Sequence, residues 1–228
     1  MPSEIVSARF LGGAPVATGL PPPVAIEVAF AGRSNVGKSS LLNALVRQHR
    51  LARTSSTPGC TRQISLFEAR ARDGLVLHLV DLPGYGYADR SKAERARWGP
   101  LVENYLALRP TLGCLVLLFD ARRGLEAEER ELLDFVRRAS HPSRPLVATI
   151  LVATKLDKVP ASRQTSRLGA LKREAGQSVI GFSVQDRTAV PELWRAIRRA
   201  LGLAPTAVSE SSPDPPRGRA RERSRRTD

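Results

Sequence analysis

The sequence predicts a three-layer α/β fold in which helices flank a mostly parallel sheet of about six strands. Three observations support this prediction. Short apolar runs alternate with segments of helical periodicity, several runs end on a polar residue, and the first leads directly into a glycine-rich loop. Nearly continuous apolar runs are typical of strands buried on both faces of a parallel sheet. Polar residues at the ends of such strands indicate a ligand site along that edge.

The predicted elements begin after an N-terminal extension and linker, residues 1–23, which ends in successive prolines. VAIEVAFAG is the first strand and KSSLLNALV the first helix. RQISLFEARA and GLVLHLVD form a hairpin, since Asp73 and Gly74 stand between them. CLVLLFD, PLVATILVATKLD and QSVIGFSV are the last three strands. Further helices are predicted over 92–108, 126–138, 162–174 and 191–201.

Composition and charge divide the rest of the chain. Residues 24–204 are expected to form one domain, and 205–228, rich in Pro, Ser and Arg, are expected to be disordered. The formal net charge is +14, of which residues 205–228 contribute only +2 because four acids offset their six arginines. The basic body favours a polyanionic partner such as RNA. The alternative is that this charge only serves solubility.

The sequence gives no sign of a membrane segment or a metal-binding cluster. No run approaches about 18 apolar residues, and the N-terminus lacks the pattern of a signal peptide. We therefore expect a cytoplasmic protein without membrane insertion. Cys60 and Cys114 are interpreted as free thiols. His49, His78 and His141 make no metal-ligand spacing with them, which argues against zinc.

GRSNVGKS, Gly32 to Ser39, matches the phosphate-binding loop pattern of a glycine, four residues and Gly-Lys-Ser. Gly32 and Gly37 allow the backbone N–H groups and the next helix N-terminus to face a phosphate. Lys38 is expected to reach the β and γ phosphates, and the Ser39 hydroxyl to bind Mg²⁺. The strand before this loop and the helix after it are the context that the pattern requires.

DLPG, Asp81 to Gly84, follows a strand, and an acid at that place holds Mg²⁺, often through water. The Gly84 N–H is placed to meet the γ-phosphate. A switch loop also needs a threonine that completes the Mg²⁺ shell when the γ-phosphate is present. Thr57 and Thr61, in the segment SSTPGCTRQ, are both candidates, and spacing alone does not choose between them.

TKLD, Thr154 to Asp157, indicates guanine as the base. A carboxylate accepts two hydrogen bonds from guanine N1–H and its 2-amino group, whereas adenine offers no such donor pair. Lys155 can lay its stem over the base, and Thr154 offers a hydroxyl where most GTPases use asparagine. FSV, Phe182 to Val184, falls where a last loop would touch the base through backbone groups.

These motifs, with STPGCTRQI, DLPGYGYA and FDARRGL, resemble those of the EngB/YihA/YsxC-type ribosome-biogenesis GTP-binding proteins over roughly residues 10 to 201. The family is a bacterial branch of the translation-factor-like P-loop GTPases. The resemblance implies a Ras-like G domain that binds GTP and Mg²⁺. It also implies a role in assembly of the large ribosomal subunit, and in normal cell division and septation. We expect a monomer that contacts ribosomal RNA.

The resemblance also assigns site residues. Those assigned to GTP are Gly32, Arg33, Ser34, Asn35, Val36, Gly37, Lys38, Ser39, Gly59, Cys60, Thr61, Arg62, Gln63, Asp81, Leu82, Pro83, Gly84, Thr154, Lys155, Leu156, Asp157, Phe182, Ser183 and Val184. It assigns Mg²⁺ to Ser39, Thr61 and Asp81, and so favours Thr61 over Thr57. Cys60 and Val184 depart from the family's usual basic residue and serine, but neither change removes a backbone contact.

Tyr85 stands where Ras-like GTPases have a glutamine that orients the attacking water, and this family typically has tyrosine there. Slow intrinsic hydrolysis is therefore expected, with Lys38, Thr61, Gly84 and Asn35 as the catalytic candidates. Asn35 occupies the position at which related GTPases hold K⁺, which adds positive charge near the transferring phosphoryl group. The alternative is an amide that bonds its own loop backbone.

Two rival functions stay open on the residues. A small-molecule kinase with a phosphate loop explains Lys38 and Ser39, although it does not require TKLD. An RNA-binding scaffold with a vestigial nucleotide site explains the basic body.

Overall fold

The computed structural model describes residues 5–48, 51–52, 63–85, 92–139, 145–186 and 188–203, with the backbone alone over 92–98. In these residues seven strands form one sheet: β1 Ile5–Ala14, β2 Glu27–Gly32, β3 Ile64–Ala71, β4 Val76–Asp81, β5 Leu112–Asp120, β6 Ala148–Thr154 and β7 Val179–Gly181. The described α-helices are α1 Lys38–Leu45, α2 Lys92–Leu108, α3 Ala127–Arg138, α4 Ala161–Ala175 and α5 Ala189–Ala200. Short 3-10 helices cover Ala17–Gly19 and Leu156–Lys158.

The strand order is β1-β3-β4-β2-β5-β6-β7. Strands β2, β4, β5, β6 and β7 run parallel, while β3 is antiparallel to both β1 and β4. The predicted hairpin joins β3 to β4, and Gly74 in its turn has φ +85°, which favours glycine. The predicted three-layer α/β fold and its mostly parallel sheet are confirmed.

Strand β1 is the part of the sheet that the sequence did not predict, because residues 1–23 were expected to be an extension and linker. It pairs with β3 from Ile5 opposite Ala71 to Ala14 opposite Ile64. Two irregularities in this register interrupt the alternation of buried and exposed residues along β1. Without a clear period of two, the segment lacks the sequence pattern of a strand, and its pairing with β3 defines it.

The side chains of β2 show how the core is divided between the two faces of the sheet. Val28 and Phe30 point to one face, where they pack in a cluster with α1 and α5. Ala29 and Ala31 point to the other face and join a cluster with α2, α3 and α4. The alternation follows from the period of two along a strand. Both faces are therefore covered, as expected for a parallel sheet.

The carboxyl ends of the parallel strands meet at one edge of the sheet. Strand β2 ends at Gly32 and β4 at Asp81, two strands that are direct neighbours. On the other side of β2, Asp120 ends β5 and lies opposite Thr154, which ends β6. The phosphate-loop, DLPG and TKLD motifs thus begin side by side. None of the described helices is long and apolar enough to cross a membrane.

Candidate functional site

The loop between β2 and α1 has the backbone of a tight phosphate loop. Gly37 precedes α1 with φ +105°, and Asn35 is also left-handed, with φ +61°. A Cβ on Gly32 would lie 2.6 Å from the Leu118 carbonyl oxygen of β5, so glycine is required where the loop leaves the sheet. Both glycines therefore meet backbone requirements of this loop, while their predicted role around a phosphate stays a prediction.

Lys38 and Asp81 form an ion pair at the sheet edge. The Lys38 Nζ at the start of α1 lies 2.6 Å from Asp81 Oδ1 at the end of β4. Both side chains are almost completely buried, at 7% and 5% exposure. Ser39 follows Lys38 in the first turn of α1 and is half-buried. A cation for phosphate oxygens and two oxygen donors suited to Mg²⁺ therefore lie in one place.

The donor set fits Mg²⁺ better than a metal held by the protein alone. Among the described residues, no three His, Cys, Asp or Glu side chains are grouped closely enough to hold a metal ion. Mg²⁺ commonly binds through one or two protein oxygens together with phosphate oxygens and water. The Asp81 carboxylate and the Ser39 hydroxyl would be the protein oxygens here.

The segment after β4 runs against the phosphate loop. The Ser34 N–H donates to the Tyr85 carbonyl oxygen at 2.8 Å, and the Tyr85 N–H donates to the Gly32 carbonyl oxygen at 3.4 Å. A Cβ on Gly84 would lie 3.0 Å from the backbone of Ser34, which makes this approach tight. Leu82 is fully buried beneath it. DLPG and the phosphate loop are therefore joined by backbone contacts.

The Tyr85 side chain turns away from this edge and into the protein. It is 3% exposed, and its hydroxyl interacts with the Glu129 carboxyl in the first turn of α3. Burial raises the pKa of Tyr85 well above its usual range and also raises the pKa of Glu129. Nearby, Arg33 pairs with Glu126 at 2.5 Å and with Glu128 at 3.2 Å. Residues 33 and 85 thus both engage the start of α3.

Glu129 and Glu126 were not predicted as site residues. They form a capping box at the start of α3, in which the Glu126 N–H donates to Glu129 Oε2 at 3.0 Å. A glutamate at the third helical position is part of the helix-start signal in a sequence. It gave no indication that these side chains also contact the phosphate loop and Tyr85, because that contact depends on where α3 packs.

Thr154 connects the predicted guanine motif to the phosphate loop. It is 1% exposed, and its hydroxyl donates to the Val36 carbonyl oxygen at 2.7 Å. The Phe119 carbonyl oxygen of β5 is also within 3.0 Å. Thr154 therefore ties β6 and β5 to the loop that precedes α1. The sequence shows only that a threonine hydroxyl stands where most GTPases have asparagine. The structure adds that this hydroxyl bonds to backbone carbonyl oxygens of the protein.

The rest of the predicted base site is assembled around Asp157. The Ser183 hydroxyl donates to Asp157 Oδ1 at 2.9 Å, and the Gln185 N–H donates back to the Ser183 oxygen at 3.1 Å. The Leu156 N–H donates to the Phe182 carbonyl oxygen at 3.2 Å. TKLD and FSV therefore lie together. Val184, by contrast, is 53% exposed.

Asp120 is a further charged group at this edge that sequence reasoning did not include in the site. It lies 3.5 Å from Lys155 Nζ and pairs with Arg122 at 2.7 Å. Burial opposes ionisation of Asp120, but the bonds from Arg122 and the charge of Lys155 bring its pKa down to about 2. Asp120 therefore pairs with Lys155, whose backbone is left-handed with φ +56°. The sequence signal that could have included Asp120 in the site is its place at the end of the strand CLVLLFD.

Several predicted residues lie outside the described part of the chain. These are Thr57, Gly59, Cys60, Thr61, Arg62 and residues 86–90. Gln63 is described and exposed; its side chain lies over β1, where a Cβ on Gly13 would come 2.6 Å from Gln63 Nε2. The assignments of Thr61 and its neighbours to GTP and Mg²⁺ therefore stay predictions.

Comparison with known proteins finds related sequences and folds. Residues 27–155 match a family model described as 50S ribosome-binding GTPase. The probable GTP-binding protein EngB of Desulforapulum autotrophicum is 43% identical over 182 residues, covering 78% of this chain and 89% of that protein.

Two solved structures are also similar. The crystal structure of a probable GTP-binding protein EngB has a TM-score of 0.58 at 22% identity, covering 77% of this chain and 98% of the other. Era in complex with MgGDPNP and nucleotides 1506-1542 of 16S ribosomal RNA has a TM-score of 0.61 at 22% identity, over 77% of this chain and 56% of Era. At this identity the two structures support the fold alone.

Proposed function

This chain belongs to the EngB family of GTP-binding proteins and is a GTPase, and from this premise we propose that it acts as a GTP-operated switch in assembly of the large ribosomal subunit. The observation that supports a working nucleotide site is the direct contact between its three motifs at one sheet edge. Lys38 pairs with Asp81, and Thr154 bonds to Val36 of the phosphate loop. A vestigial site would not need to keep these contacts.

The proposed roles follow from the chemistry of each group. Lys38 and the backbone N–H groups of the phosphate loop hold the β and γ phosphates. Ser39, Asp81 and Thr61 would hold Mg²⁺, which when bound supplies positive charge to the transferring phosphoryl group. Because Lys38 and Asp81 already lie 2.6 Å apart, both charges are preorganised at the place where they are needed.

Asp157 selects guanine in this proposal, and a base-swap experiment tests it. Asp157→Asn replaces an acceptor-only carboxylate with an amide that also donates, which opposes guanine and suits xanthine. We expect loss of GTP affinity and gain of xanthosine triphosphate affinity in nucleotide titrations. Asp134→Asn, on the exposed side of α3, is the matched control. Unchanged GTP affinity in Asp157→Asn would instead favour a phosphate-loop kinase.

Hydrolysis is proposed to be slow in the isolated protein, with Lys38, Thr61, Gly84 and Asn35 around the reacting phosphate. Asn35 is exposed in the loop and is the candidate for holding K⁺. Turnover of GTP measured with and without large ribosomal subunits, in Na⁺ and in K⁺, tests both ideas. We expect stimulation by subunits and by K⁺; turnover of tens per second by the protein alone would contradict the proposal.

We propose that the ribosome senses the GTP state through the segments 55–63 and 84–90, which the γ-phosphate would order. Binding to large-subunit precursors should therefore be tighter with a non-hydrolysable GTP analogue than with GDP, and equal affinities would contradict this step. Titration of GTP into wild type and Lys38→Ala separates the switch from an RNA scaffold, since a scaffold would bind no GTP. In cells, we propose a cytoplasmic monomer whose depletion leaves large-subunit precursors and impairs septation.

A further inference from the structure

A basic groove of about 500 Å³ lies beside the base end of the site. Helix α4, the segment just before it and the loop after β5 form its walls. Its polar lining consists of Arg122, Lys158, Arg163, Arg167 and Ser166, and the other lining residues are apolar. Among the described residues, no acidic side chain lines this groove.

The positive charge of the groove is only partly neutralised by its surroundings. Arg122 pairs with Asp120 at 2.7 Å, and Lys158 Nζ lies 3.6 Å from Asp157. Arg167 donates to backbone carbonyl oxygens, of Ala121 at 2.7 Å among others, so these bonds orient it without cancelling its charge.

Arg163 completes the set on the first turns of α4. It is exposed, and within the described part of the chain it makes no ion pair. Two of the four cations, Arg163 and Arg167, therefore line the groove without an acidic partner among the residues that the structure describes. A groove of this kind attracts an anion more strongly than one lined by paired charges.

Helix α4 carries an excess of positive charge that α3 does not, and α5 on the opposite face also has three arginines against one acid. Helix α4 contains Arg163, Arg167, Lys172 and Arg173 against one acid, Glu174. Helix α3 packs on the same face of the sheet, but its acids outnumber its basic residues. Both helices contain three arginines, so the difference lies in the acids, of which α3 has four and α4 has one. Together with the basic lining of the groove, this excess supports a docking surface for a polyanion on α4.

We propose that this groove binds the phosphodiester backbone of RNA. The inference rests on the proposed ribosomal function and specifies which surface contacts the RNA. Arginine guanidinium groups match phosphate oxygens in a bidentate geometry, and the Ser166 hydroxyl can donate to a further oxygen. The cations are largely exposed, with Arg122 and Lys158 at 51% and 58%, as in wet, salt-sensitive nucleic-acid contacts. RNA in the groove would lie next to Asp157 and Asp120, at the base end of the nucleotide site.

The test compares charge reversals on two faces of the sheet. Arg163→Glu and, as a second variant, Ser166→Glu place a negative charge in the groove at exposed positions. Arg195→Glu makes the same change of charge as Arg163→Glu on α5, whose helix packs on the opposite face. The probes are protein-free large-subunit ribosomal RNA and intact large subunits, titrated from low to high salt.

We expect Arg163→Glu to weaken binding of both probes about tenfold at 0.1 M salt, and to lower the slope of log K against log salt by about one. Ser166→Glu should weaken both, and Arg195→Glu should match wild type. All three variants should keep wild-type affinity for GDP, which confirms folding.

Equal weakening by Arg163→Glu and Arg195→Glu would overturn the proposal, since net charge alone would then explain binding. An effect on intact subunits without one on protein-free RNA would also overturn it, in favour of an acidic ribosomal protein. Wild type that binds neither probe in any nucleotide state would contradict the proposed ribosomal function itself. If wild type binds the probes and Arg163→Glu and Ser166→Glu bind them equally well, the groove is not the RNA site, while the proposed ribosomal function stands.

Discussion

Replacing Tyr85 with phenylalanine tests what the residue at the usual glutamine position does. In the structure its ring is 3% exposed and its hydroxyl interacts with Glu129, which is 1% exposed. The Tyr85→Phe change keeps the ring and removes only the hydroxyl. Because Glu129 is buried, water does not replace the lost hydroxyl, and a typical intramolecular hydrogen bond contributes about 0.5 to 1.5 kcal/mol. We expect unfolding free energy to fall by that amount.

The same geometry predicts little effect on hydrolysis. The Tyr85 hydroxyl lies toward Glu129 of α3, and the hydrogen bonds from Tyr85 to the phosphate loop are made by its backbone. GTP turnover and GDP affinity of Tyr85→Phe should therefore stay within about threefold of wild type, against losses of about 100-fold or more for a group that acts in proton transfer. Thermal denaturation and single-turnover hydrolysis measure the two effects separately.

The pH dependence of the loss gives a further check. Burial raises the pKa of Glu129, so the folded state is penalised as pH rises above the usual glutamate range through that raised pKa, and the Tyr85 hydroxyl offsets part of the penalty. The destabilisation by Tyr85→Phe should be larger at pH 8 than at pH 4. Tyr105→Phe is the matched control, since its hydroxyl donates to the buried Glu27 at 2.8 Å at the other end of β2.

Two outcomes would refute this reasoning about Tyr85. The first is a large loss of turnover in Tyr85→Phe without a loss of stability, which would place the hydroxyl at the reacting phosphate. The second is full stability together with normal turnover, which would mean that the contact with Glu129 contributes nothing. Tyr105→Phe should lose stability and keep turnover whichever outcome is found for Tyr85.

The remaining predictions concern the two neighbouring strand ends. Thr154→Val leaves the carbonyls of Val36 and Phe119 without their hydroxyl donor, so we expect a loss of about 1 to 3 kcal/mol in unfolding free energy and weaker GDP binding, both restored in Thr154→Ser. The second concerns Asp120, whose lowered pKa of about 2 contributes stability above the ordinary aspartate range that is lost as pH falls toward 2. Arg122→Ala should therefore be less stable than wild type at pH 6 by denaturant unfolding, and the difference should shrink below pH 4; a constant difference would exclude the ionic contribution.

Much of the fold followed from short-range patterns. The helix predicted over 92–108 has those bounds in the structure, and the hairpin turn lies at Asp73 and Gly74. These elements depend on local periodicity and on residues that favour turns, so neighbouring residues are sufficient to predict them. Strand β1 was not predicted because its bulged register is set by β3, whose paired residues lie 50 or more positions further along the chain.

The sequence alone determined the chemistry and the order of the nucleotide motifs. A glycine loop before a helix, an aspartate after a strand and TKLD after the penultimate strand must meet at one edge of a parallel sheet, whatever the details of packing. What only the tertiary structure decided is which way the side chains at that edge turn. The sequence DLPGY is compatible with a Tyr85 side chain that faces either the nucleotide or the core. Its inward direction goes with the contact to Glu129, 44 residues later, which depends on where α3 packs. Such contacts depend on the packing of distant elements, which no local pattern of residues contains.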